Sequence, residues 1–339
     1  MSMILDGSNG VTFNDASLQG AAASPYVLKN RIINGAMVID QRNAGASVTP
    51  TSGQYSVDRW QYDLSQASKF TAQQNAGSVT PPTGFSNYLG ITSSSAYTLT
   101  STDYFQLQQP IEGFNTADLD FGKATAKTIT ISFWARSSLT GNFGIWITNS
   151  ATNRVYPTSY TISSANTWTY CSVTIPGDTS GTWIGATNGL GIRVVFNLGM
   201  GSTYVGGGNA WNAGTFFQPA GCVNLVATNG ATLYITGVQL EQNTSATPFE
   251  RRLYNQELAN CQRYFNYMSG NNIHACHYGA SNSLSDVWFT VPMRTTPSAT
   301  YISGSVGSSF NVQDNTKGYV FQGNQGDAYI NTLKLSAEL

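Results

Sequence analysis

Apolar and polar residues alternate in short runs along most of the chain. The clearest runs are Thr128–Ala135, Phe143–Thr148, Trp168–Ile175, Gly191–Asn197 and Ala231–Leu240. Successive side chains of a strand point to opposite faces, so each run predicts a strand with one buried face and one face rich in Ser and Thr. Gly, Asn, Ser and Pro bound the runs, which is typical of an all-β sandwich.

One segment, residues 249–266, shows helical periodicity. Its apolar residues recur at helical spacing and predict a short amphipathic helix; they are Tyr254, Leu258, Cys261 and Phe265. Glu257 lies on the predicted polar face. Thr247 and Glu250 have the spacing of a capping box, with Pro248 at the first helical position. We therefore expect a helix that connects two β domains.

The two ends of the chain complete the predicted domain organisation. Residues 1–28 contain two short extended runs around the turn DGSNG, which predicts a β-hairpin. A hairpin of this size is marginal in water by itself, so it is expected to pack on a partner. We expect a jelly-roll β-sandwich over 29–248, the helix over 249–266 and a small C-terminal β-sandwich over 267–339.

Composition narrows the function classes. Charged residues make up 10% of the 339 residues and the formal net charge is −1, whereas ordinary soluble domains are about 25% charged. With 41% hydrophobic residues the chain is expected to bury a core rather than to be disordered. A near-neutral chain lacks the cationic field that nucleic acid requires. We also expect no membrane insertion, since no run approaches about 20 apolar residues, and we expect reduced, mostly buried cysteines.

Five segments carry a resemblance to a known family. Lys29–Arg42 and Tyr55–Trp60 resemble the opening of a jelly-roll module common in bacteriophage tail-fibre proteins. Gly237–Glu241, Ala246–Glu250 and Glu257–Phe265 resemble the strand and short helix that close this module. The resemblance implies a fold similar to carbohydrate-binding jelly rolls and a homotrimeric assembly.

The resemblance also implies a place in the virion. The hairpin resembles the attachment segments of short phage fibres, so Leu5, Val11 and Phe13 are the candidate residues for attachment to tail or baseplate proteins. Residues after 266 resemble variable fibre tips, which implies that the distal domains bind a host-surface polysaccharide. The protein would then be made in the host cytoplasm and reside in the virion. Ala36 and Met37 stand where related jelly rolls often have an acidic residue, which argues against a structural calcium there.

Aromatic residues are the candidate ligand contacts. Aromatic rings stack on the apolar faces of sugars, and Asn, Gln, Ser and Thr bind hydroxyls. We expect Trp60, Trp134 and Trp146 to lie in the core. The candidates for exposed, ligand-binding aromatics in loops are Tyr204, Trp211, Tyr278 and Tyr319. The first two are expected to anchor the Gly-rich loop 199–214; all four have subunit contact as the alternative.

The sequence offers little catalytic or metal-binding chemistry. Glu112, Asp118 and Asp120 are the candidate carboxylates for a glycosidase, but solvated acids in a loop are the favoured interpretation. No nucleophile elbow, phosphate loop or dinucleotide fingerprint is present, so we expect no enzyme and no cofactor. His274 and His277 would face opposite sides of one strand, so no metal site within one chain is expected. A three-fold axis that gathers one histidine from each chain stays open.

Charged residues near the helix suggest contacts between elements or chains. Arg251, Arg252 and Arg263 are expected either to bind carboxylates of a neighbouring chain or to form a solvated helix face. Asp58 and Arg59 are expected to pair with other groups rather than with each other. A low charge content also suits close contact between identical chains.

These observations predict a phage tail-fibre protein that attaches by its N-terminus and binds a host-surface glycan. Two alternatives come from other classes. One is a structural connector or decoration protein of the virion without receptor contact. The other is a polysaccharide depolymerase.

Overall fold

The computed structural model describes residues 29–275, 277–278, 282–304, 308–322 and 328–339, and the backbone of three earlier strands. Those strands are β1 (Ile4–Asp6), β2 (Gly10–Thr12) and β3 (Leu18–Gln19). They form an antiparallel sheet in the order β1-β2-β3, so the predicted hairpin is confirmed and gains a third strand. Leu5 and Val11 are paired in register; their side chains and Phe13 lie outside the described residues.

Two five-stranded antiparallel sheets form a jelly-roll sandwich. In chain order the strands are β4 (Gln61–Leu64), β5 (Phe70–Gln74), β6 (Leu89–Ser93), β7 (Tyr104–Glu112), β8 (Ile129–Ser137), β9 (Gly141–Thr148), β10 (Val155–Ile162), β11 (Thr169–Ile175), β12 (Leu190–Met200) and β13 (Thr232–Glu241). The first sheet has the order β10-β9-β12-β7-β4, and the second has the order β11-β8-β13-β6-β5. From β7 onward the chain repeatedly crosses between the sheets, which is the connectivity of a jelly roll.

The sandwich core follows the alternation that the sequence predicts. In β8 the residues Ile129, Ile131 and Phe133 are fully buried between the sheets. Trp60 is also fully buried, as predicted, and its indole N–H donates to the carbonyl oxygen of Asn34 at 3.1 Å. One face of each strand therefore builds the core, and the other faces point away from it.

The outer face of the first sheet is covered by the chain itself. Trp146 points outward from β9, and the ring of Phe217 stacks on it with 4.8 Å between centroids. The indole N–H of Trp146 donates to Asn197 at 2.9 Å. Val155 and Val195 complete this second apolar layer. Trp146 is buried as predicted, but beneath a loop rather than between the sheets.

The helix is shorter than predicted. Helix α1 (Tyr254–Gln262) begins after Leu253 and has no side-chain N-cap, so the predicted capping box is wrong. The carboxylate of Glu250 instead accepts the backbone N–H groups of Lys29 and Asn30. The predicted stripe is only partly correct because Tyr254 is 65% exposed.

A buried polar contact explains the different helix face. Glu257, predicted to face solvent, is buried and accepts the backbone N–H of Asn34. It also accepts a bond from Arg252 at 3.3 Å. Cys261 is buried as predicted, whereas Phe265 lies beyond the helix in the following strand. Helix α1 is thus attached to the jelly roll through the hydrogen bond from Asn34 to the buried carboxylate of Glu257.

A small C-terminal sandwich follows the helix. Its strands are β14 (Phe265–Ala275), β15 (His277–Tyr278), β16 (Asn282–Trp288), β17 (Ser298–Gly304), β18 (Ser308–Val312), β19 (Lys317–Gln322) and β20 (Ala328–Ser336). They form the sheets β14-β20-β17 and β15-β16-β19-β18. The core of this domain consists of Val287, Phe289, Met293, Val320, Ile330, Leu333, Leu335 and Ala337. The predicted all-β architecture with one connecting helix is confirmed.

Residues 337 and 338 connect the two sandwiches through ion pairs and hydrogen bonds. The carboxylate of Glu338 pairs with both Arg42 and Arg59 of the jelly roll. Arg294 donates to the carbonyl oxygens of Ala337 and Glu338, each at 2.7 Å. Asp58 and Arg59 pair with other groups, as predicted, since Asp58 lies 3.3 Å from Arg42 and Arg59 pairs with Glu338.

Candidate functional site

An open groove lies on the outer face of the second sheet. Its floor is built by Trp134 of β8 and Tyr170 of β11, which are directly opposite in the antiparallel register. Their rings lie 5.4 Å apart between centroids at an angle of 56°. Tyr170 is 47% exposed. Trp134 is half-buried on this outer face, so its predicted placement in the core is wrong, because the alternation of β8 points it away from the sandwich interior. A cross-strand aromatic pair of this kind forms a platform on a sheet face.

A backbone irregularity in β13 deepens the groove. Gly237 lies where the pairing between β13 and β8 shifts register, and its φ is +63°. A Cβ atom at this position would lie 2.6 Å from Cζ of Phe85 and 3.3 Å from Cδ1 of Trp134. Glycine is needed both for the positive φ and for this close approach of two rings.

Two loops form the walls. Phe85 belongs to one loop and Phe249 to the other, and their rings meet edge to face at 5.2 Å. Residues 246–251 continue the second wall and end in Arg251. The groove has a volume of about 530 Å³, within the roughly 300–1,000 Å³ of small-ligand sites. Its lining residues are Phe85, Ser132, Trp134, Tyr170, Gly237, Ala246, Thr247, Pro248, Phe249 and Arg251.

The walls are held by hydrogen bonds to the sheet below. Thr236 of β13 donates to the carbonyl oxygen of Asn87 at 2.7 Å, which fixes the first loop. Glu241 accepts the backbone N–H and the hydroxyl of Thr247, at 2.9 and 2.7 Å. Gln239 accepts the backbone N–H of Glu250 at 2.8 Å. Hydrogen bonds to the sheet therefore specify the positions of both loops.

Trp134 keeps a free hydrogen-bond donor. Five of the seven tryptophans donate their indole N–H within the chain; they are Trp60, Trp146, Trp168, Trp183 and Trp211. Among the described residues, the indole N–H of Trp134 has no such partner. The groove thus offers an aromatic face, an N–H donor and the hydroxyls of Ser132 and Tyr170 together. These are the groups that bind sugars.

The predicted ligand residues lie elsewhere. Trp211 packs against Phe121 and Trp183 and donates to the carbonyl oxygen of Pro176 at 2.9 Å. Tyr204 contacts Phe217 with 5.3 Å between centroids. Both residues anchor the Gly-rich loop, as expected, and both are half-buried. Their contact with a ligand stays a prediction.

The other two predicted aromatics belong to the C-terminal domain. Tyr319 and Tyr278 lie in strands β19 and β15, so their predicted placement in loops is wrong. Tyr319 is half-buried, and the side chain of Tyr278 lies outside the described residues. None of the four predicted residues lines the groove of Trp134. The signal that the prediction missed is the alternation of β8, which puts Trp134 on the Ser/Thr face.

The candidate carboxylates are engaged in ion pairs. Glu112 is buried and accepts bonds from Arg263 at 2.6 and 2.9 Å and from Tyr264 at 2.7 Å. The expectation of a solvated loop acid is therefore wrong for Glu112, because its buried carboxylate joins the end of β7 to the segment after α1. Asp118 pairs with Arg31 at 2.5 Å, and Asp120 pairs with Lys123 at 2.8 Å.

Three arginines are expected either to bind carboxylates of a neighbouring chain or to form a solvated helix face, and two of them bind carboxylates of their own chain instead. Arg263 pairs with Glu112, and Arg252 lies 3.4 Å from Glu250 and 3.3 Å from Glu257. Arg251 is the exception, because its guanidinium lies over aromatic rings.

Thiol and metal chemistry have little support in the described chain. Cys171, Cys222 and Cys261 are free, and the first and last are buried, as expected. Burial raises the pKa of the Cys171 thiol to about 12 and that of Cys222 to about 11, which disfavours the reactive thiolate. Within the described ranges, no group of three His, Cys, Asp or Glu residues is placed to hold a metal ion.

The two histidines belong to different sheets, so their predicted placement on one strand is wrong. His274 is in β14 and pairs with Tyr329, whereas His277 is in β15 and pairs with Ser283. Their side chains lie outside the described residues. No helix in the described part of the chain has the length and apolar character to cross a membrane.

No protein-family model matches the sequence. No curated protein matches it. Among solved structures, the enzymatically active domain of tailspike protein 4 of bacteriophage CBA120 is 14% identical with a TM-score of 0.35. That match covers 66% of this chain and 22% of the other, so the chain spans about a fifth of the tailspike domain.

Carbohydrate-binding modules are also similar. TmCBM61, solved with β-1,4-galactotriose, is 9% identical with a TM-score of 0.32, over 64% of this chain and 100% of that one. A family 11 module from Clostridium thermocellum, solved with a mixed-linked tetrasaccharide, is 12% identical with a TM-score of 0.30, over 58% and 97%. These TM-scores are low, so the fold assignment here rests on the strand pairing described above.

Proposed function

We propose that this protein is a tail-fibre protein of a bacteriophage that binds a host-surface glycan in the groove of Trp134. The observation that carries glycan binding is the Trp134–Tyr170 platform with its free indole N–H. Such a surface gains affinity from ring stacking and hydrogen bonds and needs little charge. A low content of charged residues is therefore compatible with glycan binding.

The assignment to a fibre rests on the five resembling segments and on the N-terminal strands. In this proposal residues 1–28 attach the protein to the tail or baseplate, with Leu5, Val11 and Phe13 in contact, and three copies form a homotrimer. The role is binding rather than catalysis, since Glu112, Asp118 and Asp120 are each held by a cation. A connector role and a depolymerase role stay as alternatives.

Glycan binding is tested with the full chain on an array of bacterial surface polysaccharides. Trp134→Ala is expected to lower the affinity for any bound glycan by about 10- to 100-fold, since stacking and a hydrogen bond are lost together. Trp288→Ala is the matched control, because Trp288 is 65% exposed in the C-terminal sandwich. Loss of binding in Trp288→Ala with an unchanged Trp134→Ala would place the site in the tip. No bound glycan at all would count against the proposal.

Attachment is tested separately by deletion of residues 1–28. The truncated protein is expected to remain folded, because the two sandwich cores lie in residues 29–339. It is expected to be missing from purified virions. If the truncated protein still joins tails, attachment lies elsewhere. Sedimentation of the full chain measures whether it is trimeric.

A further inference from the structure

Arg251 supplies the one ionisable cation among the residues that line the groove. The residue is exposed, and its guanidinium carbon lies 4.6 Å from the ring centroid of Phe85 and 5.6 Å from that of Phe249. Cation–π contacts of this kind hold the guanidinium plane in place without consuming its N–H donors. Arg251 therefore presents an ordered set of donors at the end of the groove.

The charge of Arg251 is not compensated by a carboxylate in the described part of the chain. Its neighbour Arg252 lies between Glu250 and Glu257, and Arg263 binds Glu112. Among the described residues, Arg251 has neither an ion pair nor a hydrogen bond. It thus differs from the adjacent arginine in having its donors available to a ligand.

The acidic residues nearest to Arg251 are engaged elsewhere. Glu250 and Glu257 line a neighbouring pocket that also contains Arg251, and both carboxylates pair with Arg252. None of the residues that line the groove itself is acidic. Glu241 lies below the wall, where both of its oxygens accept bonds from Thr247 or Gln239. Arg136, two residues beyond Trp134 on the same face of β8, is a second cation, and its ring contact is Tyr234. The lining of the groove therefore carries one positive charge and no negative charge, although the whole chain is near neutral.

We propose that the groove selects an anionic glycan, in which one sugar stacks on Trp134 and a carboxylate or phosphate binds Arg251. This inference rests on the proposed glycan-binding function and specifies its ligand class. The planar guanidinium fork matches both kinds of oxyanion in a two-bond geometry. A uronic acid and a sugar phosphate are the two sources of that group.

The test compares the unchanged protein with the Arg251→Gln variant. Binding of both is measured on polysaccharides that carry uronic acids and on polysaccharides that carry phosphates. The third ligand is the same uronic-acid polymer after chemical reduction of its carboxyl groups. Arg251→Gln is expected to lower affinity for the acidic ligand about 10- to 100-fold, the range for a bond to a charged group. Reduction of the ligand is expected to cause a similar loss in the unchanged protein and none in the variant. Added salt is expected to weaken acidic binding.

Lys123→Gln is the matched control, because it removes the same charge from an exposed residue paired with Asp120. Binding that Trp134→Ala abolishes, but that Arg251→Gln and carboxyl reduction leave unchanged, overturns this inference and keeps the proposed function. Binding to neutral polymers alone overturns it in the same way. If Trp134→Ala has no effect or no glycan binds, the proposed function fails, and the inference fails with it.

Discussion

Asp58 is a carboxyl group that the fold removes almost entirely from water. It is 1% exposed, and burial raises its pKa to about 7 against the opposing effects of Arg42 and of a hydrogen bond from Gln41. The charged form is thus unfavourable in the folded state despite the nearby guanidinium, because desolvation outweighs the attraction. Its titration affects the stability of the junction between the two sandwiches.

The first prediction concerns this titration. The pKa of Asp58 is higher in the folded protein than in the unfolded chain, so protonated Asp58 stabilises the fold. This contribution is fully present below about pH 4 and is lost as the pH rises through about 7. The loss from Asp58 is on the order of 4 kcal/mol, from about three pKa units at 1.36 kcal/mol each. Asp58→Asn is expected to remove this slope. Urea unfolding of both proteins at pH 4 to 8 measures it; a constant difference in the free energy of unfolding would contradict the prediction.

The second prediction at the scale of single residues concerns the substitution of Gly237. Gly237→Ala places a methyl group against Phe85 and Trp134 at a positive φ, so it is expected to destabilise the fold and to narrow the groove. Backbone strain alone costs on the order of 1–3 kcal/mol. Gly230→Ala is the control, because Gly230 has φ +71° and nothing within 4 Å of an added Cβ. Equal loss of stability and unchanged glycan affinity in both variants would contradict the role of Gly237 in the groove.

At the scale of elements, Glu112 connects the end of β7 to the segment after α1. Its carboxylate is 1% exposed and holds both Arg263 and Tyr264. The hydrophobic pattern of the sequence does not predict this contact, because the contact is formed by charged and polar groups. Removing one partner of a buried ion pair leaves the other without compensation.

Glu112→Gln is therefore expected to lower the free energy of unfolding by about 3 kcal/mol. Asp118→Asn is the matched control, since this carboxyl is 46% exposed and its pair with Arg31 is expected to contribute less than about 1 kcal/mol. Chemical denaturation of the two variants measures the difference. If both substitutions lower the free energy of unfolding by similarly small amounts, the contact of Glu112 does not stabilise the packing of the segment after α1.

At the scale of the whole molecule, the C-terminal residues join the two sandwiches. Glu338 pairs with Arg42 and Arg59, while Arg294 holds the backbone of the same segment. Arg42 and Arg59 also lie over the rings of Phe265 and Tyr264, at 3.7 and 3.6 Å from their centroids. The interface is thus a layer of cations between aromatic rings and one carboxylate.

Glu338→Gln is expected to loosen this interface, because Arg59 is 1% exposed and keeps a charge without its carboxylate. Hydrogen exchange is expected to rise in residues 55–62 and 263–267, with little change in the interiors of β8 and β13. Glu338→Asp, which restores the charge, is the control and is expected to reverse part of the increase in hydrogen exchange. A uniform increase across both sandwiches would indicate global destabilisation instead.

Much of the architecture follows from local sequence patterns. The alternation in β8 and its neighbours predicts strands and their buried faces, because a strand has a period of two residues. The helical periodicity locates α1 but not its start. There the hydrogen bond from Asn30 to Glu250 and the ion pair of Glu257 with Arg252 override the predicted cap and polar face.

The candidate site depends on contacts that are distant in sequence. Trp134 and Trp146 both point outward from strands of similar pattern, and the sequence alone does not distinguish them. Phe217, from the loop after β12, covers Trp146, whereas the loops that carry Phe85 and Phe249 stop beside Trp134. The sequence by itself determined strands, faces and a charge-poor surface, because these depend on neighbouring residues. Only the tertiary structure decided which aromatic face stays open, because that depends on where distant loops pack.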